Sequence, residues 1–150
     1  MNPASKNLDV LDVAHSIQLS VAPVFLLSGI GIFLGVLSNR LGRIVDRARP
    51  LEESLRSCEG APALELRQRL TFLAQRARLI NAAITLSTVS ALLIAIVVAL
   101  LFASAFVRFN LGVAVAALFV ASMCALVGAL VTFLLEVRIA IRTVRIGPRP

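Results

Sequence analysis

The chain reads as an all-α membrane protein, with three transmembrane helices, an outer interfacial helix before the first, and an antiparallel helical hairpin outside the lipid. Three observations predict this. Residues 21–38, 82–107 and 111–135 form long runs without a charged residue. Nine arginines and no lysine lie between Arg40 and Arg78, and four more arginines follow the third run, from Arg138 to Arg149. Apolar residues on either side of a Gly/Pro segment recur at alternating spacings of four and three.

The apolar runs set the class. Of 150 residues, 59% are hydrophobic, and mean hydropathy is +0.93; soluble domains hold about 45–50% apolar residues. A hydrocarbon core of about 30 Å is crossed at about 1.5 Å per residue, so each run is long enough to span it. The second and third runs exceed that need, and tilt or protrusion is expected. Little chain remains for a separate globular domain. The net charge of +7 and pI near 11.4 do not point to nucleic acid, because the charges track the ends of the runs. Anchoring in the lipid bilayer, with attraction to anionic lipids, accounts for them.

The arginines set the threading. Positive charge is retained on the cytoplasmic side of a membrane, which puts Arg40 to Arg78 and the C-terminus inside and the N-terminus outside. Only Lys6, Asp9 and Asp12 carry full charge before the first span. Residues around Arg108, Phe109 and Asn110 turn the chain outside, between spans two and three. A multi-pass protein of the bacterial inner membrane is expected, N-out and C-in. No basic segment and small-residue cleavage site frame a short apolar core near the start, so no cleaved leader is expected. Cys58 falls in the cytoplasmic connection and Cys124 in the third span, which is not a disulfide framework.

Residues 7–20 read as a short outer amphipathic helix. Asn7 suits its N-cap, and Asp9, Asp12, Ser16 and Ser20 share one face, opposite Leu8, Leu11, Ala14 and Ile17. Pro23 fits the first turn of span one, residues 21–38, where a missing N–H costs nothing. A bend between the two helices is expected.

Residues 39–81 predict the cytoplasmic hairpin. Leu37, Leu41, Ile44, Ala48, Leu51 and Leu55 form one seam, and Leu66, Leu70, Leu73, Ala77, Ile80 and Ile84 form the other. This is the spacing of packed helical pairs. The tip is Arg56-Ser-Cys-Glu-Gly-Ala-Pro62, and spans one and two continue beyond the lipid as its arms. Glu52 with Arg56 and Glu65 with Arg69 sit at helical spacing on the outer faces. Pro50 is expected to kink the first arm by freeing the carbonyl of Asp46. Residues 136–150 form a basic tail. Tryptophan and tyrosine are absent, leaving Phe106 and Phe109 as outer aromatic anchors.

Three groups of residues are candidates for function. Ser28, Gly31, Gly35, Asn39 and Gly42 make a small or polar stripe on span one, with Gly31 and Gly35 as a GxxxG pair. Asn81, Thr85, Thr88, Ala95 and Ala99 continue the theme on span two, and Ala114, Ala117, Ala121, Gly128 and Thr132 on span three. Such stripes let helices approach closely. They serve packing within one chain, or a subunit interface, or a solvated axis. The second group gathers at the inner boundary: Arg40, Arg43, Asp46, Arg47, Arg76, Arg78, Glu136 and Arg138. In a hairpin whose neighbours sum to about 118, Arg40 lies near Arg78, with Glu136 as their carboxylate. Anchoring with internal ion pairing is one account; phosphate binding or an anion-attracting ring is the other. The third group, Asp9, Asp12 and His15, makes a solvated outer face or an acidic vestibule.

Catalysis is not expected. The spans hold no carboxylate, histidine or lysine away from their ends, as proton relay or intramembrane hydrolysis needs. His15 is the only histidine. No cofactor or metal site is expected.

Ala22-Pro-Val-Phe-Leu-Leu-Ser-Gly-Ile-Gly31, Asn39-Arg-Leu-Gly-Arg-Ile-Val-Asp-Arg-Ala-Arg49, Arg76-Ala-Arg-Leu-Ile-Asn81 and Phe133-Leu-Leu-Glu-Val-Arg138 together resemble domain-of-unknown-function family 2721, small bacterial membrane proteins. The Asn-Arg…Asp-Arg-x-Arg run is the most specific part. The resemblance implies a bacterial membrane location and brings no mechanism. Two functions fit the residues. One is a small homo-oligomeric ion channel with arginines at its cytoplasmic mouth. The other is a noncatalytic scaffold or assembly factor whose hairpin binds a partner protein or anionic lipid.

Overall fold

The structure, a computed structural model, describes the backbone of residues 3–57, 59–104 and 112–144 and the side chains of 21–57, 59–103 and 112–141. Three helices make it up: α1 (Pro3–Ser57), α2 (Ala61–Ser104) and α3 (Gly112–Val144). Among the described residues, three segments are long and apolar enough to cross a membrane, within Val21–Ser57, Ala61–Ala103 and Gly112–Ile141. The protein is therefore a multi-pass, all-helical membrane protein. Its outward side chains agree: Phe25, Ile32, Leu92, Val113 and Val120 are largely exposed, where water would penalise them and lipid would not.

α1 has 55 residues and α2 has 44, about twice or more the 20 or so that a bilayer core takes. Both arms of the hairpin are thus unbroken continuations of spans, as their apolar periodicity predicts. Pro23 does not open a new helix. α1 begins at Pro3 and runs through residues 7–20 into the span, so no boundary separates the expected outer helix from span one. The lost N–H of Pro23 leaves one helical acceptor, the Leu19 carbonyl, without its usual donor, and a long helix absorbs that. Helix also continues through Pro50.

The chain forms two compact units. The first takes in residues 1–33 and 87–126; among the described residues Pro23, Ile30, Ser87, Ser90, Ile94, Val97 and Ser122 are buried in it. The second takes in residues 34–86 and 127–150, with Leu37, Ile44, Ala63, Ile80, Ala83, Ala129 and Glu136 buried.

The second unit contains the hairpin. All twelve predicted seam residues, from Leu37 to Leu55 and from Leu66 to Ile84, are buried or half-buried. At its tip, Gly60 adopts φ +84° and its carbonyl accepts from the N–H of Ala63 at 3.2 Å. A side chain at Gly60 would be strained by that left-handed backbone even though space is open around it. Pro62 sits in the first turn of α2, where its lack of an N–H is harmless. Gly128 lies closest to a neighbour: a Cβ there would meet the Leu86 side chain at 3.4 Å.

Candidate functional site

The second unit brings one predicted group of polar residues together. Glu136 on α3 is fully buried. One of its oxygens accepts from Arg40 Nη1 of α1 at 2.8 Å. The other accepts from Arg76 of α2, through Nε at 3.0 Å and Nη2 at 2.7 Å. All three helices are thus tied at one carboxylate. A buried carboxylate is costly unless its lone pairs are met by charged donors, and here both oxygens are. The Arg40 guanidinium also lies 5.0 Å from the ring centroid of Phe133, one helical turn before Glu136, a cation–π arrangement that orients it further.

The predicted partner Arg78 is corrected to Arg76. Both lie near the seam in sequence, but two residues correspond to about 200° of helical rotation. Arg76 flanks the seam of Leu73, Ala77 and Ile80, whereas Arg78 is exposed. Asp46 and Arg138 are also exposed and outside the clamp.

Beside the clamp lies an open cleft of about 390 Å³. Arg40, Arg43, Arg47 and Arg76 supply its polar lining, and Ile44, Val137, Ala140 and Ile141 supply the apolar part. Arg40, Arg43 and Arg47 recur three and four residues apart, which places them along one side of α1. Among the described residues, the two ion pairs are those of Glu136 with Arg40 and with Arg76. Arg43 and Arg47 have no carboxylate within ion-pair distance there.

Most residues of the small-residue stripes lie on open surface. Ser28, Gly31, Gly35, Asn39 and Gly42 are all exposed, as are Asn81, Thr85, Thr88, Ala95, Ala99, Ala114, Ala117 and Ala121. A Cβ at Gly31, Gly35 or Gly42 would meet nothing within 4 Å. Gly128 and Thr132 are half-buried. Packing within one chain therefore explains Gly128 but not the span-one stripe. Several hydroxyls are satisfied locally: Ser28 donates to the Val24 carbonyl at 3.2 Å, Thr85 to Asn81 at 2.9 Å and Thr132 to Gly128 at 2.7 Å. Such back-bonding lets a hydroxyl face lipid without an orphaned donor.

In the first unit, sequence reasoning missed a serine pair. Ser90 of α2 and Ser122 of α3 are fully buried with Oγ atoms 3.1 Å apart. Ser90 Oγ donates to the Ser122 carbonyl at 2.9 Å, and Ser122 Oγ to the Ser90 carbonyl at 3.3 Å. Ser87 Oγ is buried with no hydrogen-bond partner among the described residues. The signal was present: continuing the hairpin's alternating spacing past Ile84 reaches Ser87 and Ile94, both buried. Ser90 flanks that line.

The side chains of Asp9, Asp12 and His15 lie outside the described residues, as do Cys58, Phe106, Arg108, Phe109 and Asn110. Cys124 is an exposed free thiol on α3. Among the described residues, no cluster of acidic, histidine and cysteine side chains is arranged to hold a metal.

No curated protein and no solved structure matches this chain. A family model described as "Protein of unknown function (DUF2721)" matches residues 20–146, most of the sequence and all of the hairpin, the cleft and the serine pair, and the chain belongs to that family.

Proposed function

We propose that this protein is a noncatalytic scaffold of the bacterial inner membrane, N-out and C-in, that works as a homo-oligomer. The Arg40–Glu136–Arg76 clamp carries the reading. Among the described residues, Glu136 is the one buried carboxylate, and both of its oxygens are taken by guanidiniums of its own chain. It is placed to hold helices, and no oxygen is left over to pass a proton or coordinate a moving cation. The cytoplasmic hairpin then serves as the platform, since Val45, Leu64 and Phe72 remain exposed on it beyond the uncharged runs. Exposed apolar side chains of this size on an arm outside lipid favour a protein contact.

A small ion channel is the second reading, and the open stripe of Ser28, Gly31, Gly35 and Asn39 favours it. Copies meeting along this side of α1 would place small and polar groups on a shared axis. Purified protein in liposomes separates the two. The scaffold reading expects cross-linked oligomers with no voltage-driven current or ion flux. A reproducible unitary current, altered by Asn39→Leu, would replace it with the channel.

A further inference from the structure

We propose that the cleft beside the clamp binds the phosphodiester headgroup of an anionic phospholipid, with Arg43 and Arg47 as its principal ligands. The charges do not balance otherwise. Four guanidiniums line the cleft, and one carboxylate, Glu136, answers two of them. That leaves Arg43 and Arg47 without an ion pair among the described residues, on the same side of α1 as Arg40. Asp46 is exposed and does not line the cleft.

Guanidinium forks match the oxygens of a phosphate, and two of them one helical turn apart can hold one phosphodiester. The rest of the lining is apolar, with Ile44 buried in its wall. Such a surface suits a headgroup with its glycerol and first methylenes better than a hydrated free anion. Depth agrees as well. Arg40 and Glu136 are the first charged residues beyond the uncharged parts of α1 and α3, and Arg76 lies two residues beyond the first on α2. This is the level at which a bilayer presents its phosphates. The clamp keeps Arg40 and Arg76 fixed, so the cleft is formed before lipid arrives. The proposal does not depend on self-association or conduction.

The test uses delipidated full-length protein in neutral detergent, titrated with dioleoylphosphatidylglycerol or dioleoylphosphatidylcholine, with bound lipid counted by native mass spectrometry. Phosphatidylglycerol should bind more tightly. Each of Arg43→Gln and Arg47→Gln should weaken it about fivefold, and the double variant about 25-fold, from the usual worth of one arginine near an anionic lipid. Phosphatidylcholine should be unaffected. Arg138→Gln, exposed and outside the cleft, should bind phosphatidylglycerol as the parent does. The single variants give the same readout if the double variant does not fold. Equal binding of the two lipids, no loss in the arginine variants, or an equal loss in Arg138→Gln would overturn the proposal. Displacement of the lipid by millimolar inorganic phosphate would overturn it too, in favour of a simple anion site.

Discussion

Arg76 holds Glu136 across sixty residues of sequence through two nitrogens on one carboxylate oxygen, Nε at 3.0 Å and Nη2 at 2.7 Å. Arg40 takes the other oxygen at 2.8 Å with a single nitrogen. The two arginines are unequal in burial as well, with 41% of the Arg40 side chain exposed against 21% for Arg76. Screening by surroundings of higher dielectric is therefore greater at Arg40.

That inequality orders a mutational series. Glu136→Gln leaves two guanidiniums facing a neutral amide and should cost about 3 kcal/mol of stability. Arg76→Gln should cost less than this, and Arg40→Gln less again. Reversible unfolding in mixed micelles measures the order. Equal losses for the two arginine variants would show that the more buried, two-nitrogen contact confers no advantage.

The serines of the first unit make an opposing pair of predictions. Ser90→Ala and Ser122→Ala each remove a buried interhelical hydrogen bond, and a double-mutant cycle should give a coupling of about 0.6 kcal/mol. Ser87→Ala removes a buried hydroxyl that bonds to nothing described. It should be neutral or slightly stabilising, because no hydrogen bond is lost and a desolvated polar group is. A loss at Ser87 as large as at Ser90 would count against this assignment of partners.

At the hairpin tip, Gly60→Ala should destabilise by about 1 kcal/mol, since an L side chain at φ +84° meets the left-handed penalty. Gly42→Ala, inside α1 and facing open space, should stabilise by up to about 1 kcal/mol through helix propensity. Thermal midpoints of the two variants should move in opposite directions. Movement together would mean the tip conformation is not what Gly60 secures.

Gly35→Ile tests the open stripe. With nothing within 4 Å of a Cβ there, the fold of the single chain should tolerate the change. Oligomer yield after cross-linking in vesicles should fall severalfold if copies meet along this side of α1. An unchanged yield would move the contact elsewhere, with the exposed hairpin residues the next to test.

The hairpin shows how much of this was legible. Leu37 to Leu55 and Leu66 to Ile84 were readable as two seams because a helix that packs along one line must repeat its apolar residues near 3.5 positions. That rule acts within a single helix and needs no knowledge of its partner. The choice of Arg76 over Arg78 was less accessible. A pairing sum estimates how far two helices are shifted along each other, but an arginine's direction depends on rotation about the axis, where a step of two residues reverses its side. The stripes stay ambiguous for a related reason. Small residues signal that a close approach is possible, and Gly31 and Gly35 look alike whether the neighbour is the same chain, another copy or lipid.

By itself the sequence determined the three apolar spans, their extension into a hairpin, the turn at Gly60 and the identity of Glu136 as the carboxylate awaiting arginine. These follow from local chemistry: apolar length against bilayer thickness, helical period, and the need of a buried anion for a cation. Tertiary structure alone decided that Arg76 rather than Arg78 would join Arg40 on that carboxylate, that Ser90 would face Ser122, and that Arg43 and Arg47 would be left over beside the clamp. Those outcomes depend on the mutual rotation and offset of helices distant in sequence, which no single helix encodes.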